Sequence, residues 1–535
     1  MNILFLMVDQ LRHDYLGCTG HPSIRTPNID ALANCGVRFD RAYVQSPLCG
    51  PSRMSTYTGR YCHSHGATWN GTPLRVGEMT LGDHLRPLGV ETVLCGKTHA
   101  ATDMRGLERL GIDPNGTIGR RIAECGFDVW ERMDGEFPAG LSDLRSPYQD
   151  YLRAKGYGSA NPWHDFANSG EDEDGNILSG WQLRNSTRPA RIAKEDSETA
   201  WLTARAMEFL DQAGDTPWCL HVSYIKPHWP YVAPAPYHEI YGLDDIKPVV
   251  RSNSELADPH PVLAAFQDKR VGKAFSRTEV REAVIPAYMG LITEIDDQIG
   301  RLIAHLDALG RRDDTLIVFT SDHGDYLGDH WLGEKELFHD ASVRVPLIVV
   351  DPGADADKTR GTVCDALVEA IDLVPTFVDY AGGEPRGEIL EGHSLQPLVA
   401  GLAAGVRDHV ISEYDYSFKS ARRRLNQPVG DCRLAMIFDG RSKLVHAEGF
   451  RPMLFDLHAD PDELNDLGDS VEHAETCDQL MTRLNAWFRQ HHNKTMHSDA
   501  EILARENGDL RRGIFLGFWD QDDMDEAARL GRTGN

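Results

Sequence analysis

Three clusters place ionisable or amide side chains just where apolar runs stop. Asp9-Gln10 follows Ile3 to Val8, Asp322-His323 follows Thr315 to Thr320, and Lys226-Pro227-His228 comes soon after Trp218 to Tyr224. Asp9, Gln10, Asp322 and His323 offer two carboxylates, an amide oxygen and an imidazole, a donor set suited to a divalent cation such as Ca2+, Mn2+ or Mg2+. A single strand-end Asp is more often a turn or cap residue than a ligand, so the pairs count only together. Cys49 opens a more specific pattern, Leu48-Cys49-Gly50-Pro51-Ser52-Arg53. Gly-Pro sets a turn and Ser52-Arg53 begins a helical pattern, which predicts Cys49 just before a helix N-terminus, where N–H groups and the dipole favour an anion or a nucleophile.

Elements that could hold these groups alternate along the chain. Short apolar runs predict strands at Ile3 to Val8, Glu91 to Cys95, Trp218 to Tyr224, Thr315 to Thr320 and Pro346 to Val350. Helical periodicity predicts helices at Asn28 to Cys35, Ser52 to Thr58, Leu81 to Leu88, Glu198 to Gln212, Arg277 to Leu309 and Leu373 to Tyr380. Such alternation implies an α/β sandwich around a large, mostly parallel sheet, with ligands gathering outside the carboxyl ends of the strands. The catalytic domain is expected to cover 1–385, and 103–195, rich in Gly, Asn, Asp and Arg, reads as an irregular insertion shaping a pocket mouth. Residues 386–492 read as a smaller α+β domain: strands at Val410 to Tyr414, Leu434 to Phe438, Ser442 to His446 and Met453 to Asp456 in an antiparallel sheet, then a helix over Ala474 to His491. Residues 493–535 form a C-terminal extension whose Phe515, Phe518 and Trp519 suit packing on another subunit, so a homo-oligomer, dimer or tetramer, is expected.

Of the 535 residues, 55 are Lys or Arg and 82 Asp or Glu, leaving a formal charge of 55 − 82 = −27. A surface this acidic repels phosphate backbones and anionic lipid, so neither nucleic acid nor a membrane is an expected partner. Apolar runs stay far below the roughly 18 residues that span a bilayer. The start lacks a basic region and a small-residue cleavage site, and the 10 cysteines form no CxxC pair. Reduced thiols and a cytoplasmic location are expected.

Cys49-x-Pro51-Ser52-Arg53 resembles the signature of the formylglycine-dependent (type I) sulfatases of the alkaline phosphatase superfamily. The resemblance runs through most of the chain: Thr26-Pro27-Asn28-Ile29-Asp30, Gly59-Arg60, Gly96-Lys97-Thr98-His99, Lys226-Pro227-His228, Thr320-Ser321-Asp322-His323-Gly324, Leu454-Phe455-Asp456-Leu457, Asp460-Pro461 and Glu463-Leu464-Asn465. It implies an alkaline-phosphatase-like fold and an enzyme hydrolysing small sulfate monoesters.

The resemblance also implies roles. Cys49 would be oxidised to formylglycine by a formylglycine-generating enzyme, and its hydrate, bound with Asp9, Gln10, Asp322 and His323 to one Ca2+ or Mn2+, would be the nucleophile. Arg53 would orient and neutralise it; Lys97 and Lys335 would bind sulfate oxygens; His228 with Lys335 would assist the leaving oxygen; His99 would be the base for sulfate release. Gln10 and His323 stand where common sulfatases carry Asp and Asn. That combination resembles the phosphonate monoester hydrolase and choline-sulfatase branches, which also have Asn at a position like Asn70, here a candidate substrate contact. Because the phosphonate hydrolases carry Tyr and Thr types at the positions of Lys97 and His99, an arylsulfatase with secondary phosphonate monoester and phosphodiester hydrolysis is expected. A phosphonate monoester hydrolase or a choline-sulfatase is the alternative. The small anionic ester would enter one positive well in a negative surface, with sulfated polymers repelled.

Overall fold

The first strand, β1 (Asn2–Asp9), is buried along its whole length, so it must be covered on both faces. Side chains alternate across a strand. Ile3, Phe5 and Met7 accordingly pack into one apolar core while Leu4, Leu6 and Val8 pack into another. A computed structural model gives the structure, and it describes residues 1–135, 137, 146–490, 492–505, 512 and 517–530.

β1 lies inside an eight-stranded sheet ordered β10-β2-β9-β8-β1-β7-β3-β4. The other strands are β2 (Val37–Tyr43), β3 (Glu91–Gly96), β4 (Asp128–Arg132), β7 (Trp218–Pro227), β8 (Thr315–Ser321), β9 (Arg344–Val350) and β10 (Thr362–Glu369). A separate short hairpin pairs β5 (Ser169–Glu171) with β6 (Ile177–Ser179). In the large sheet β9 runs against its neighbours β2 and β8, and the other pairings are parallel. The register aligns Val8 with Tyr224 on one side and Ser321 on the other, so three strands end level with Asp9.

Helices Cys49–Thr58 and Leu373–Tyr380 cover one face, and Pro27–Cys35, Glu198–Gln212 and Thr278–Ala308 cover the other. This is the expected α/β sandwich. A four-stranded antiparallel sheet follows, ordered β11 (Val410–Asp415), β12 (Arg433–Phe438), β13 (Ser442–Ala447), β14 (Met453–Asp456). Helix Ala474–Phe488 packs Leu480, Leu484 and Trp487 against its Ile411, Ile437 and Leu444.

Three strands of the large sheet carry too many charges to read as buried runs. Arg38, Asp40 and Arg41 interrupt β2, where they are only partly buried, while edge strands β4 and β10 have half-exposed stretches. Segment 103–195 contributes β4, the β5–β6 hairpin and the helices Met104–Leu110, Thr117–Ala123 and Pro147–Ala154. One helix start also differs: Cys49 is its first residue, because Leu48 is the extended cap and Pro51 is tolerated in the first turn, which needs no N–H.

Residues 1–385 and 390–490 form one compact unit; 386–389 and 491–535 form a second. In the second, Asp499–Arg505 and Gln521–Leu530 are helical, Trp519 is exposed and Phe518 half-buried, while Phe515 lies outside the described residues. Among the described residues no helix is long and apolar enough to cross a membrane.

A buried ion cluster ties the antiparallel sheet to the short helix Asp340–Val343 that leads into β9 of the large sheet. Lys443 Nζ on β13 lies 2.6 Å from Asp340 and 2.7 Å from Glu463, and donates to the Phe338 carbonyl at 3.1 Å. Lys443→Ala would strand Glu463 and leave Asp340 with Arg344 at 3.2 Å as its cation, and is expected to cost about 3–5 kcal/mol in chemical denaturation. A loss under about 1 kcal/mol would show that both acids find other partners.

Candidate active site

Four parallel neighbours, β8, β1, β7 and β3, stop at the same edge of the sheet, and the groups that follow them meet there. Asp9 ends β1 and Asp322 follows β8, both fully buried. Between them lies the guanidinium of Arg53, also with no exposed surface: Nη2 is 3.1 Å from Asp9 Oδ2 and Nε 2.8 Å from Asp322 Oδ2. Its Nη1 donates to the Lys97 carbonyl at 2.9 Å and to Ser223 Oγ at 2.8 Å, so every strand end of the group is tied to one side chain.

Arg53 stands one helical turn after Cys49, on the same face of its helix. Cys49 Sγ lies 3.0 Å from His323 Nε2 and 3.3 Å from Lys335 Nζ. One donor atom from each of Asp9, Cys49, Asp322 and His323 falls within 4.8 Å of all the others. Among the described residues Asp9 Oδ1 is buried without a hydrogen-bond partner, as expected of an oxygen reserved for a cation. Donor type, spacing and this orphan oxygen therefore fit a divalent ion. Gln10, in a left-handed conformation (φ 65°), joins from the side. Its amide nitrogen donates to Asp325 at 2.5 Å and Tyr231 at 3.1 Å, which turns its side-chain oxygen toward Lys335 Nζ at 2.9 Å.

Charge decides the protonation states. Burial alone would raise the Asp9 carboxyl, but Lys97, with Nζ 2.8 Å from Oδ2, together with His228 and Arg53, holds it well below the usual range. Burial likewise opposes a thiolate at Cys49, yet Lys335, His323 and Lys97 pull the thiol well below its ordinary value. Against the cost of burial, Asp322 and the sulfur raise His323.

The remaining candidates surround this cluster. Lys335 sits between Glu334 and Glu336, both with positive φ (62° and 106°). Glu334 accepts from Trp229 Nε1 at 2.7 Å and Glu336 pairs with Lys269 and Lys419, so the two flanking acids point away while Lys335 points in. His228 Nδ1 bonds the Trp229 carbonyl at 2.9 Å, and its ring acts on both Cys49 and Asp9. Asn70 Oδ1 accepts from Gly50 N–H at 2.8 Å; a Cβ on Gly50 would lie 2.7 Å from that oxygen, so the position excludes larger residues. His99 makes no hydrogen bond to the cluster. Among the described residues its Nδ1 is buried without a partner, and its backbone N–H is held by Asp134.

Sequence reasoning missed Asp325, Tyr231, Ser223, Glu334, Glu336 and Asp134 as supporting groups. Asp325 adjoins the Asp322-His323 pair and could have been suspected; Tyr231, Ser223 and Asp134 carry no local signal because their partners are distant in sequence.

Comparison with known proteins matches residues 1–383 to the family described as Sulfatase and residues 328–490 to that described as N-sulphoglucosamine sulphohydrolase, C-terminal. The chain is 32% identical over 521 residues, 92% of its length and 96% of the relative's, to the multifunctional alkaline phosphatase superfamily protein PehA of Trinickia caryophylli. It is 28% identical over 499 residues to an arylsulfatase of Clostridium perfringens, covering 90% of this chain and 92% of that one. Among solved structures it is similar to a phosphonate monoester hydrolase from Silicibacter pomeroyi, with a TM-score of 0.81, 31% identity and coverage of 92% and 96%.

In unconverted Cys49 protein, thiolate absorbance, taken as the difference from Cys49→Ser, is expected to persist well below the ordinary thiol range, and Lys335→Met should move the inflection upward. An inflection near the ordinary value of about 8.5 would mean that burial outweighs the neighbouring cations.

Proposed function

The chain belongs to the sulfatase family and is a sulfatase-type hydrolase; from that premise we propose an arylsulfatase acting on small sulfate monoesters through formylglycine at position 49, with secondary phosphonate monoester and phosphodiester hydrolysis. The observation that carries the reading is Lys97 held on Asp9 beside Cys49, which gives the buried centre a further cation for sulfate oxygens. The family generally uses a divalent metal and formylglycine. Asp9, Gln10, Asp322, His323 and residue 49 would hold the ion, Ca2+ or Mn2+, which would lower the pKa of a hydroxyl and offset charge. Formylglycine hydrate would supply two hydroxyls, one to attack sulfur and one to surrender a proton.

The chain's own residues then have distinct tasks. Arg53, buried between two carboxylates, orients residue 49 and balances its charge. Lys335, within 3.3 Å of Cys49 Sγ, and Lys97 neutralise the oxygens of the transferring group. As the ester S–O bond breaks, the leaving oxygen needs a proton. His228 can deliver one from Nε2, since its Nδ1 is committed to the Trp229 carbonyl, and Lys335 assists. His99, with an unpartnered ring nitrogen, accepts the proton lost when sulfate departs. Asn70, fixed by Gly50 N–H, would contact substrate through its amide NH2. The products are the free alcohol and sulfate, with one water consumed.

A second reading, phosphonate monoester hydrolase, is favoured by Gln10 and His323 and by the likeness to the Silicibacter pomeroyi enzyme. For assembly we propose a dimer or tetramer built with the 493–535 extension.

Comparing kcat/KM for an aryl sulfate, choline sulfate and a phenyl phosphonate monoester tests the ranking. The aryl sulfate should lead, and a phosphonate preference of about tenfold or more would select the second reading. Cys49→Ala and Asp322→Asn should each lower kcat/KM by about a thousandfold or more, and peptide mass spectrometry should find formylglycine at 49. Active protein carrying only unmodified Cys49 would exclude the proposed nucleophile.

A further inference from the structure

The loop after β3 carries Lys97 and His99, and its shape is imposed from outside. The backbone N–H groups of Thr98 and His99 both donate to the same oxygen, Asp134 Oδ1, at 3.1 Å. The other carboxylate oxygen of Asp134 accepts from Arg132 Nη2 at 2.6 Å and Nε at 3.0 Å. Arg132 also donates to the Ala100 carbonyl at 3.2 Å and pairs with Glu124. Glu124 in turn accepts from the Thr98 hydroxyl at 2.9 Å. Three consecutive residues, Thr98, His99 and Ala100, are therefore gripped by Glu124, Arg132 and Asp134, two of which lie on or just beyond edge strand β4.

His99 needs such a grip. Its φ of 56° lies in the left-handed region, where a residue with a Cβ stays only if its surroundings impose it. No hydrogen bond of its own ring does so among the described residues, where Nδ1 is buried without a partner; the ring meets the Asp134 charge only electrostatically. Gly96, with φ 128°, begins the turn: a Cβ there would lie 2.1 Å from the Ser223 carbonyl oxygen, so the chain leaves β3 at a point only glycine can occupy. Between that turn and Ala100, the Asp134 carboxylate is the acceptor for both free N–H groups.

We propose that Asp134, braced by Arg132 and Glu124, is a positioning residue that fixes the backbone of His99 and so the direction of its imidazole. The inference rests on the reading of His99 as the proton acceptor in sulfate release. Asp134 itself touches no reacting atom; it acts through His99. Lys97, two residues earlier, is anchored separately by Asp9 and by its own N–H to the Ser223 carbonyl, so sulfate binding is expected to survive loss of Asp134 while turnover does not.

The test is a mutant cycle in the full chain with residue 49 converted, using Asp134→Ala, Asp134→Asn, His99→Ala and the double variant Asp134→Ala/His99→Ala. Asp134→Ala should lower kcat for an aryl sulfate by about tenfold or more with KM within about twofold, whereas Asp134→Asn, which keeps an acceptor oxygen, should recover most of the loss. The double variant should be no slower than His99→Ala, since one effect passes through the other. A crystal structure of Asp134→Ala should show residue 99 out of the left-handed region. Additive losses in the double variant, or an unchanged φ at residue 99, would overturn the proposal. Wild-type kcat in His99→Ala would instead remove the catalytic reading of His99, and the crystal structure alone would then decide what Asp134 does. If Asp134→Ala does not fold, the same cycle is run with Arg132→Ala, which removes the brace on Asp134 and Ala100, and there additivity with His99→Ala overturns the proposal while non-additivity upholds it.

Discussion

Two carboxylates buried at the ends of adjacent strands cannot both stay ionised without a cation between them, and Arg53 is that cation. It has no exposed surface, and it spends four of its donor contacts on Asp9, Asp322, Ser223 and the Lys97 carbonyl. Each acid gives Arg53 one oxygen. The other oxygen of Asp322 accepts from the Gln10 N–H, and the other oxygen of Asp9 has no hydrogen-bond partner among the described residues. A bound ion would meet an oxygen already ionised and already oriented. Removing the guanidinium would leave Asp322 without its arginine and Asp9 with Lys97 alone, and losing one partner of a buried pair costs about 3–5 kcal/mol.

The same interaction explains why Cys, Pro, Ser and Arg occur at fixed spacing. Arg53 anchors the first turn of the helix to the strand ends, and Cys49, four residues earlier, is thereby carried to His323 and Lys335. Ser52 adds a second tether, its hydroxyl donating to the Asp322 carbonyl at 2.6 Å. Gly50 leaves space for Asn70, and Pro51 occupies a position whose N–H the helix does not need. The motif is thus one docking device, in which the spacing follows from one turn of helix.

The acidic surplus of −27 coexists with a centre of the opposite character. Arg53, Lys97 and Lys335 are all buried around Cys49, and the pull of these cations and His323 on the thiol exceeds the opposing effect of burial. Glu334 and Glu336, next to Lys335 in sequence, bond to Trp229 and to Lys269 and Lys419, so neither carboxylate pairs directly with the sulfur, while the Glu334 charge still acts on Lys335. The net charge describes the surface; the centre is set by which side chains the fold turns inward.

Much of this was legible in the residues. Continuous apolar runs made β1, β3, β7, β8 and β9 readable, because strands buried on both faces admit no polar alternation, and the groups after them were readable as strand-end chemistry. The charged strands β2, β4 and β10 were not, since their partly exposed side chains break the pattern on which such reading depends. Cys49, Arg53, Asp9, Asp322 and His323 stood out by type and spacing. Asp134, Tyr231 and the flanking glutamates did not, because their partners, a backbone N–H for Asp134 and side chains for the others, are remote in sequence and leave no mark in a linear chain. The sequence by itself determined which groups are available and which end of the sheet they reach, through hydrophobic periodicity and local turn chemistry. Only the tertiary structure decided that Gln10 faces Lys335, that Asp9 keeps one oxygen open and that His99 is bent into a left-handed turn. Those outcomes depend on contacts between segments up to 325 residues apart, which no local pattern encodes.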